Sequence, residues 1–233
     1  MEEIFKNSLF AGITLSLGSY ALGSLLRKKF TNPLVNPFLI SVVVSIAVLV
    51  FCKIDYEYYY QSAKYMSFLL TPATVCLAVP LYEQLELLKK NFWAIILGIF
   101  AGALTSAVSI LVLCFVLKLP KEMLATLLPK TVTTAIGMGV SAELGGYVTI
   151  TVATIVVTGI LGNVLADVFF RLFKITNPIA QGIALGTSAH AMGTAKAHEL
   201  GQIQGAMSGL SIVITGIFTV ILAPLFAGLY GLL

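Results

Sequence analysis

Long apolar runs constrain this chain more than any other feature of its sequence. Several of them hold roughly 20 residues, the length that an α-helix needs to cross the hydrocarbon core of a bilayer. Hydrophobic residues make up 58% and charged residues 10% of the 233-residue chain, and the mean hydropathy is +0.99. An average soluble domain is roughly a quarter charged, so this chain has too little polar surface to cover a water-facing shell. The sequence therefore predicts an all-α integral membrane protein.

Two other classes fit the sequence poorly. A transmembrane barrel would show alternating strands of roughly 10 residues, and none are visible. The net charge of +4 comes mostly from basic residues that flank apolar runs, which predicts topology signals and headgroup contacts rather than nucleic-acid binding. Cys52, Cys76 and Cys114 lie inside or at the end of apolar segments without metal-ligand spacing, so we interpret them as small core residues.

The apolar pattern predicts about seven or eight membrane segments. We expect helices over residues 9–26, 36–54, 92–117 and 147–173, a run that begins near residue 66, and a last one from residue 205 to the C-terminus. The chain is divided into a first helix with a basic loop (1–35), a first repeat unit (36–117), a re-entrant or broken helix hairpin (118–146) and a second repeat unit (147–233).

Prolines and glycines interrupt three of the segments. Pro72 and Pro80 lie inside an apolar run, and Pro129 precedes a lysine. The third segment is interrupted by Gly186, Gly193 and Gly201. Irregular backbone at membrane depth survives only where protein or a water-filled cavity covers it. Interrupted helices that line a central site are a recurring device of transporters, so these breaks predict a site near the bilayer midplane.

A weak internal repeat and the basic residues predict the topology. A shift of 116 residues places Leu69, Thr71, Ala73 and Glu83 on Leu185, Thr187, Ala189 and Glu199. The basic clusters at 27–29, 89–90 and 171–174 should lie in the cytoplasm. This requires residues 122–146 to return as a hairpin and makes the two units inverted repeats. The alternative is that this segment crosses the membrane. Lys118 and Lys121 weaken the asymmetry of basic residues on which the predicted topology depends.

Residues 186–201, GTSAHAMGTAKAHELG, hold both histidines of the chain. On a continuous helix Thr187, His190, Thr194 and His198 would line one face with Ser188 beside it, which predicts a polar substrate pocket with His190 deepest. Lys196 and Glu199 could pair and serve coupling or gating together with His198. The alternative is helix packing through small residues, with the charged side chains already at the interface. Since its reference pKa is about 6.5, neutral His190 could take up a proton with the substrate.

Three further patches are candidate sites. Lys130 with Thr133 and Thr134 suits a carboxylate, especially if a half-helix starts there, although a snorkelling lysine is the alternative. Thr71 and Thr74 flank a proline kink. They are stronger candidates because the 116-residue repeat places them on the 187–190 stretch. Asn163 and Asp167 share a helix face. Asn163 is a possible coupling residue, whereas Asp167 is better interpreted as marking the cytoplasmic end of a span than as an ion-coupling group.

We expect no catalytic residues, no metal and no cofactor. Two histidines eight positions apart with one glutamate lack the spacing of zinc-binding helices. Ser188 and His190 point apart on a helix and make no catalytic pair. The sequence contains no P-loop.

Three motifs in order carry a family resemblance that covers nearly the whole chain. These are LTPATVCLAVPLYEQLELLKKNFW, LLPKTVTTAIGMGVSAELGG and ALGTSAHAMGTAKAHELGQIQGAMSGLS. They resemble the LrgB/CidB family of antiholin-like, autolysis-modulating membrane proteins. The chain departs from the family pattern at Ala135, where many relatives have proline, and at residues 137–139, where relatives carry a carboxylate.

The resemblance implies two functions from different classes. Plastid relatives move glycolate and glycerate, and some bacterial relatives are tied to pyruvate uptake. Together with the polar patches this implies a transporter of small monocarboxylates in the bacterial cell membrane. The alternative is a regulator of murein hydrolase export and lysis that does not transport. The expected partners are membrane lipid, a holin-like LrgA/CidA-type membrane protein and further copies of the chain.

Overall fold

The computed structural model describes residues 5–6, 8–30, 37–69, 72 and 78–231. All regular elements in this part of the chain are helical. Besides a 3₁₀ helix over Lys64–Leu69, they are α1 (Ala11–Lys29), α2 (Pro37–Phe51), α3 (Tyr56–Ala63), α4 (Ala78–Glu83), α5 (Leu85–Lys90), α6 (Phe92–Val116), α7 (Lys121–Leu127), α8 (Thr134–Glu143), α9 (Val148–Leu172), α10 (Pro178–Leu200) and α11 (Gln202–Tyr230).

The first of two compact units comprises residues 1–76. Hydroxyl groups join its helices: Ser19 Oγ lies 3.0 Å from Ser41 Oγ, and the Gly12 backbone N–H donates to Ser62 Oγ at 2.7 Å. A Cβ at position 12 would lie 2.5 Å from Ser62 Oγ, so glycine permits this close approach of α1 to α3. The unit is therefore joined by small residues and short polar contacts.

Three helices of the second unit, residues 77–233, are long and apolar enough to cross a membrane. They are α6 and α9, with 25 residues each, and α11, with 29. Since an α-helix rises about 1.5 Å per residue, each exceeds the roughly 30 Å of the hydrocarbon core. The predicted membrane protein with apolar spanning helices is confirmed to this extent.

The chain between α6 and α9 doubles back. Thr126 in α7 accepts a hydrogen bond from the Tyr147 backbone N–H at the start of α9, at 2.8 Å. Thr151 Oγ1, one turn into α9, donates to Ser141 Oγ of α8 at 2.7 Å. The turn between α7 and α8 instead reaches the middle of α6, where Lys130 Nζ lies 3.1 Å from Ser106 Oγ. Residues 121–143 thus form a hairpin that starts and finishes at the same end of the unit.

Helix α10 is broken at His190, whose backbone has φ 42° and ψ −134°. Leu185 and Ala197 pack in one buried cluster with Ala166 of α9, although a straight helix would separate them by about 18 Å. A Cβ on Gly193 would meet the Leu185 backbone oxygen. The two arms, α10a (178–189) and α10b (191–200), therefore fold against each other with His190 at the tip.

The turn between α7 and α8 and the turn at His190 both lie near the midpoints of the long helices. The hairpins that carry these turns start from opposite ends of the unit. His190 packs against Gly159, which lies close to the midpoint of α9. A Cβ added to Gly159 would lie 2.7 Å from His190 Cε1. Arm α10a starts beside the first turn of α11, since a Cβ on Gly182 would lie 2.5 Å from the Gln204 backbone oxygen. Arm α10b returns to this end, where α11 follows it directly. At the other end, Tyr230 Oη donates to the Leu119 carbonyl at 2.5 Å. The long helices thus frame two hairpins whose tips lie deep in the unit.

The structure differs from the sequence prediction at α10. Glycines were expected to break this segment, and the break falls instead at His190. Consequently Thr187, His190, Thr194 and His198 do not share one helix face. A non-glycine residue at this backbone conformation costs about 1–3 kcal/mol, which the packing of the two arms must offset.

Candidate binding site

A cavity of about 950 Å³ lies between α6, α9 and arm α10a, within the second unit. Its walls are mostly apolar, and its polar lining residues lie at the deep end and at the mouth. The deep end carries Ser106, Lys130, Thr131, Thr158, Thr187 and Ser188, and the mouth carries Asn91 and Asn177. The deep end lies near the midpoints of α6 and α9, so a ligand there would lie halfway along these two helices.

Lys130 supplies the charge of this cavity. Its ammonium group donates to Ser106 Oγ at 3.1 Å, and within the described part of the chain no carboxylate lies within 4 Å of it. The side chain is half-buried, and a partly desolvated cation without a counter-ion is costly. An anion in the cavity would lower that cost and accept charge-assisted hydrogen bonds.

Thr187 contributes a hydroxyl that has no partner. The residue is 5% exposed, and its Oγ1 makes no hydrogen bond with any described residue. Gly102 lets it approach α6, because a Cβ there would lie 2.6 Å from Thr187 Cγ2. Buried hydroxyls are rarely left unsatisfied. The Thr187 Oγ1 atom is itself buried beside the cavity, so it would bond a ligand or a water once a movement of arm α10a exposes it.

His190 and Thr194 lie outside the cavity lining. The His190 ring is buried and its Nε2 lies 3.0 Å from the Ile155 carbonyl oxygen. Thr194 Oγ1 donates to the His190 carbonyl oxygen at 3.1 Å and lies 2.8 Å from Ser208 Oγ. These contacts hold the hairpin tip against α9 and α11. The hollow predicted to be shared by Lys130 and His190 therefore contains Lys130 but not the imidazole.

The remaining predicted residues are dispersed. Ser188 lines the cavity, although its hydroxyl donates to the Ala184 carbonyl oxygen at 2.6 Å. Thr133 and Thr134 are half-buried at the start of α8 and do not line the cavity. His198 is exposed. Thr71 and Thr74 lie outside the described residues.

Lys196 forms an ion-pair cluster between α10b and α9. Its Nζ lies 2.8 Å from Asp167 Oδ2 and 3.5 Å from Glu199 Oε2, and the Lys196 side chain is 7% exposed. Asn163 Nδ2 donates to the Met192 carbonyl oxygen at 2.8 Å on the same helix pair. The sequence had favoured Asp167 as a helix-end marker, whereas the structure pairs its carboxylate with Lys196. The cluster ties the returning arm to a membrane-length helix.

Replacement of Asp167 by Asn is expected to destabilise the protein by about 1–2 kcal/mol. The substitution leaves Lys196 buried with Glu199 alone, and the partial exposure of Asp167 keeps the loss below that of a fully buried pair. Thermal unfolding in detergent measures the effect. The double variant D167N/K196M should recover most of the loss, and equal stability of D167N and the unmodified protein would contradict the assignment.

Ser106 and Thr158 are lining residues that sequence reasoning missed, and Thr131 belongs to the predicted Lys130 patch although it was not named as a site residue. Thr131 follows Lys130 directly, so its position was available as a signal. Ser106 and Thr158 lie inside long apolar helices, where nothing in the local sequence distinguishes them from hydroxyls that bond their own helix.

Comparison with known proteins gives a consistent family assignment. The model of the LrgB-like family matches residues 16–229. The antiholin-like protein LrgB of Bacillus subtilis (strain 168) is 35% identical over 225 residues, which are 96% of this chain and 97% of that relative. No solved structure matches the chain. The resemblance carried by the three sequence motifs is thereby confirmed, and the chain belongs to the LrgB-like family.

Proposed function

We propose that this protein carries small monocarboxylates such as pyruvate, glycolate or lactate across the cell membrane. One observation supports the proposal most: the same cavity is lined by Lys130, whose ammonium group has no carboxylate within 4 Å among the described residues, and by Thr187, whose buried hydroxyl is unbonded. The ammonium would hold the carboxylate, and Thr187 with Ser106 would bond the oxo or hydroxyl oxygen. The proposed function needs no enzymatic step and no cofactor.

The two hairpins support alternating exposure of this site. The hairpins start from opposite ends of the second unit and reach the midpoints of its long helices. Lys130 and Thr187 belong to different hairpins. Movement of one hairpin against the other would open the site to either side. We propose that the Lys196 cluster, with Asn163 and Glu199, holds α10b in place and must rearrange during this movement. His198 lies near the same end of α10b and is included in this gating proposal.

Inverted repeats would explain the opposed hairpins. We propose that units 36–117 and 147–233 are related by inversion, which gives about seven or eight segments in a multi-pass cell-membrane protein. The hairpin of residues 121–143 would then be re-entrant. Its return to the end of α6 from which it left supports that proposal.

Replacement of Thr187 by Val separates binding from stability. Valine keeps the shape of threonine and removes an unsatisfied buried hydroxyl, so thermal stability should be unchanged or rise by about 1 kcal/mol. Pyruvate affinity should fall by roughly three- to tenfold, as expected for one lost hydrogen bond of about 1 kcal/mol. Calorimetric titration measures the affinity, and unchanged affinity would remove Thr187 from the site.

The second candidate function is that of an antiholin-like regulator of murein hydrolase export and autolysis. The name of the Bacillus subtilis relative supports this function directly and says nothing of transport, so the comparisons favour it over the transport proposal. The regulator would act with a holin-like LrgA/CidA-type partner or with further copies of itself. It would depend on outward helix faces rather than on the cavity.

Uptake and lysis assays with the same variants distinguish the two functions. Purified protein in proteoliposomes, with and without the small partner, should accumulate labelled pyruvate, glycolate or lactate if it is a transporter. In parallel, K130Q and T187V are expressed in a bacterium that lacks its own LrgB-like gene. Normal control of lysis by both variants, with no uptake by the unmodified protein, would favour the regulator and overturn the transport proposal.

A further inference from the structure

The cavity is much larger than a three-carbon acid. A water molecule occupies about 30 Å³ in the liquid, so a ligand the size of a few waters would fill roughly a tenth of the 950 Å³. Between the two polar ends runs an apolar stretch, here called the shaft, which is lined among others by Gly98, Leu161, Leu165, Ile179 and Ile183. Gly98 and Leu161 are exposed, so the shaft is open along one side. Water or a polar ligand group would find no partner along this stretch.

The charge of the lining selects a monoanion. Of the described residues that line the cavity, only Lys130 carries a charge. A second carboxylate on the ligand would have to lie in the apolar shaft, where none of the described lining residues carries a charge. A ligand with one carboxylate and an apolar tail matches both the charged end and the shaft.

We propose that the preferred ligand is a monocarboxylate whose apolar tail fills this shaft, in the class of short- to medium-chain fatty acids. This inference rests on the proposed function and names the substrate class of the same site. The carboxylate binds Lys130 and Ser106 at the deep end. The tail extends past Gly98 towards Asn91 and Asn177 at the mouth.

A chain-length series tests the inference. Propionate, butyrate, hexanoate and octanoate compete with labelled pyruvate for purified protein in nanodiscs. Because each buried methylene contributes about 0.8 kcal/mol, the inhibition constant should tighten about three- to fourfold per added methylene until the shaft is full. The gain should depend on the open shaft, so a gain that persists when the shaft is filled by a side chain reflects partition into lipid and overturns the inference.

Gly98→Leu closes the shaft and leaves the deep end intact. A Cβ at position 98 meets only Ile183, at 3.8 Å, so the fold accepts a side chain there. Hexanoate should then bind no better than propionate, with both inhibition constants compared with the pyruvate affinity of the same variant. Gly228→Leu is the matched control, since position 228 has open space and lies outside the lining, and it should retain the chain-length gain.

The outcomes separate this inference from the proposed function. A flat series with normal pyruvate binding overturns the inference alone, and a lipid acyl chain that already fills the shaft would give that result. If neither pyruvate nor any fatty acid binds, both the inference and the proposed carboxylate site fail.

Discussion

Replacement of Lys130 by Gln is expected to lower the affinity for pyruvate about 10- to 100-fold. The substitution removes the only charge among the described lining residues, and a hydrogen bond to a charged group contributes about 1.5–3 kcal/mol. Affinity is measured by calorimetric titration of purified protein, and uptake by proteoliposomes should fall in parallel.

Lys118→Gln is the matched control for this prediction. It removes the same charge from an exposed position just beyond the C-terminal end of α6, so pyruvate binding should be unaffected. K130Q should also unfold at a temperature at least as high as the unmodified protein, because it removes a half-buried cation that has no carboxylate within 4 Å among the described residues. A stable K130Q protein that binds pyruvate normally would exclude Lys130 from the site.

Replacement of Gly193 by Ala is expected to destabilise the protein by about 3 kcal/mol. The added methyl group would meet the Leu185 backbone oxygen and lie 2.8 Å from Ala189 Cβ, where neither the backbone nor a short side chain can move aside cheaply. The two arms of α10 would have to separate. Thermal unfolding in detergent measures the loss.

Gly139→Ala provides the comparison within another helix. A Cβ at position 139 meets nothing within 4 Å, so alanine should be neutral or stabilise by about 0.5–1 kcal/mol through its better helix propensity. If G193A were as stable as G139A, the arms would not approach each other as closely as described.

Hydropathy predicted the long helices well. The expected spans 92–117 and 147–173 differ by one residue at each end or less from α6 and α9. Such segments are predictable because the bilayer sets both their length and their composition. The inverted repeat and the full segment count stay predictions.

The break in α10 was beyond sequence reasoning. Glycine is the usual residue at a positive φ, yet the break falls at His190 while Gly193 lies in the returning arm. Tertiary contacts place it there: Gly193 fits against Leu185, and Thr194 lies beside Ser208 in α11. No local pattern records a contact between such distant residues.

The candidate site was partly predictable. Lys130 and Thr187 stand out as polar residues in apolar surroundings, and both line the cavity. Ser106 does not stand out, because Thr105 and Ser109 in the same helix bond their own backbone, at 2.7 and 2.8 Å. Only the approach of Lys130 from the hairpin between α7 and α8 distinguishes Ser106 from these neighbours.

The proposed transport depends on a carboxylate that binds next to the Lys130 ammonium group in the interior of the second unit. Solid-state NMR dipolar recoupling between ¹⁵Nζ-labelled lysine and pyruvate labelled with ¹³C at its carboxylate tests this contact directly. We expect strong dephasing, as for an N⁺–H···O⁻ pair whose nitrogen and oxygen lie about 2.7–2.9 Å apart, and its loss in K130Q. Bound pyruvate that shows no dephasing, or the same dephasing in K130Q, would contradict the proposed contact.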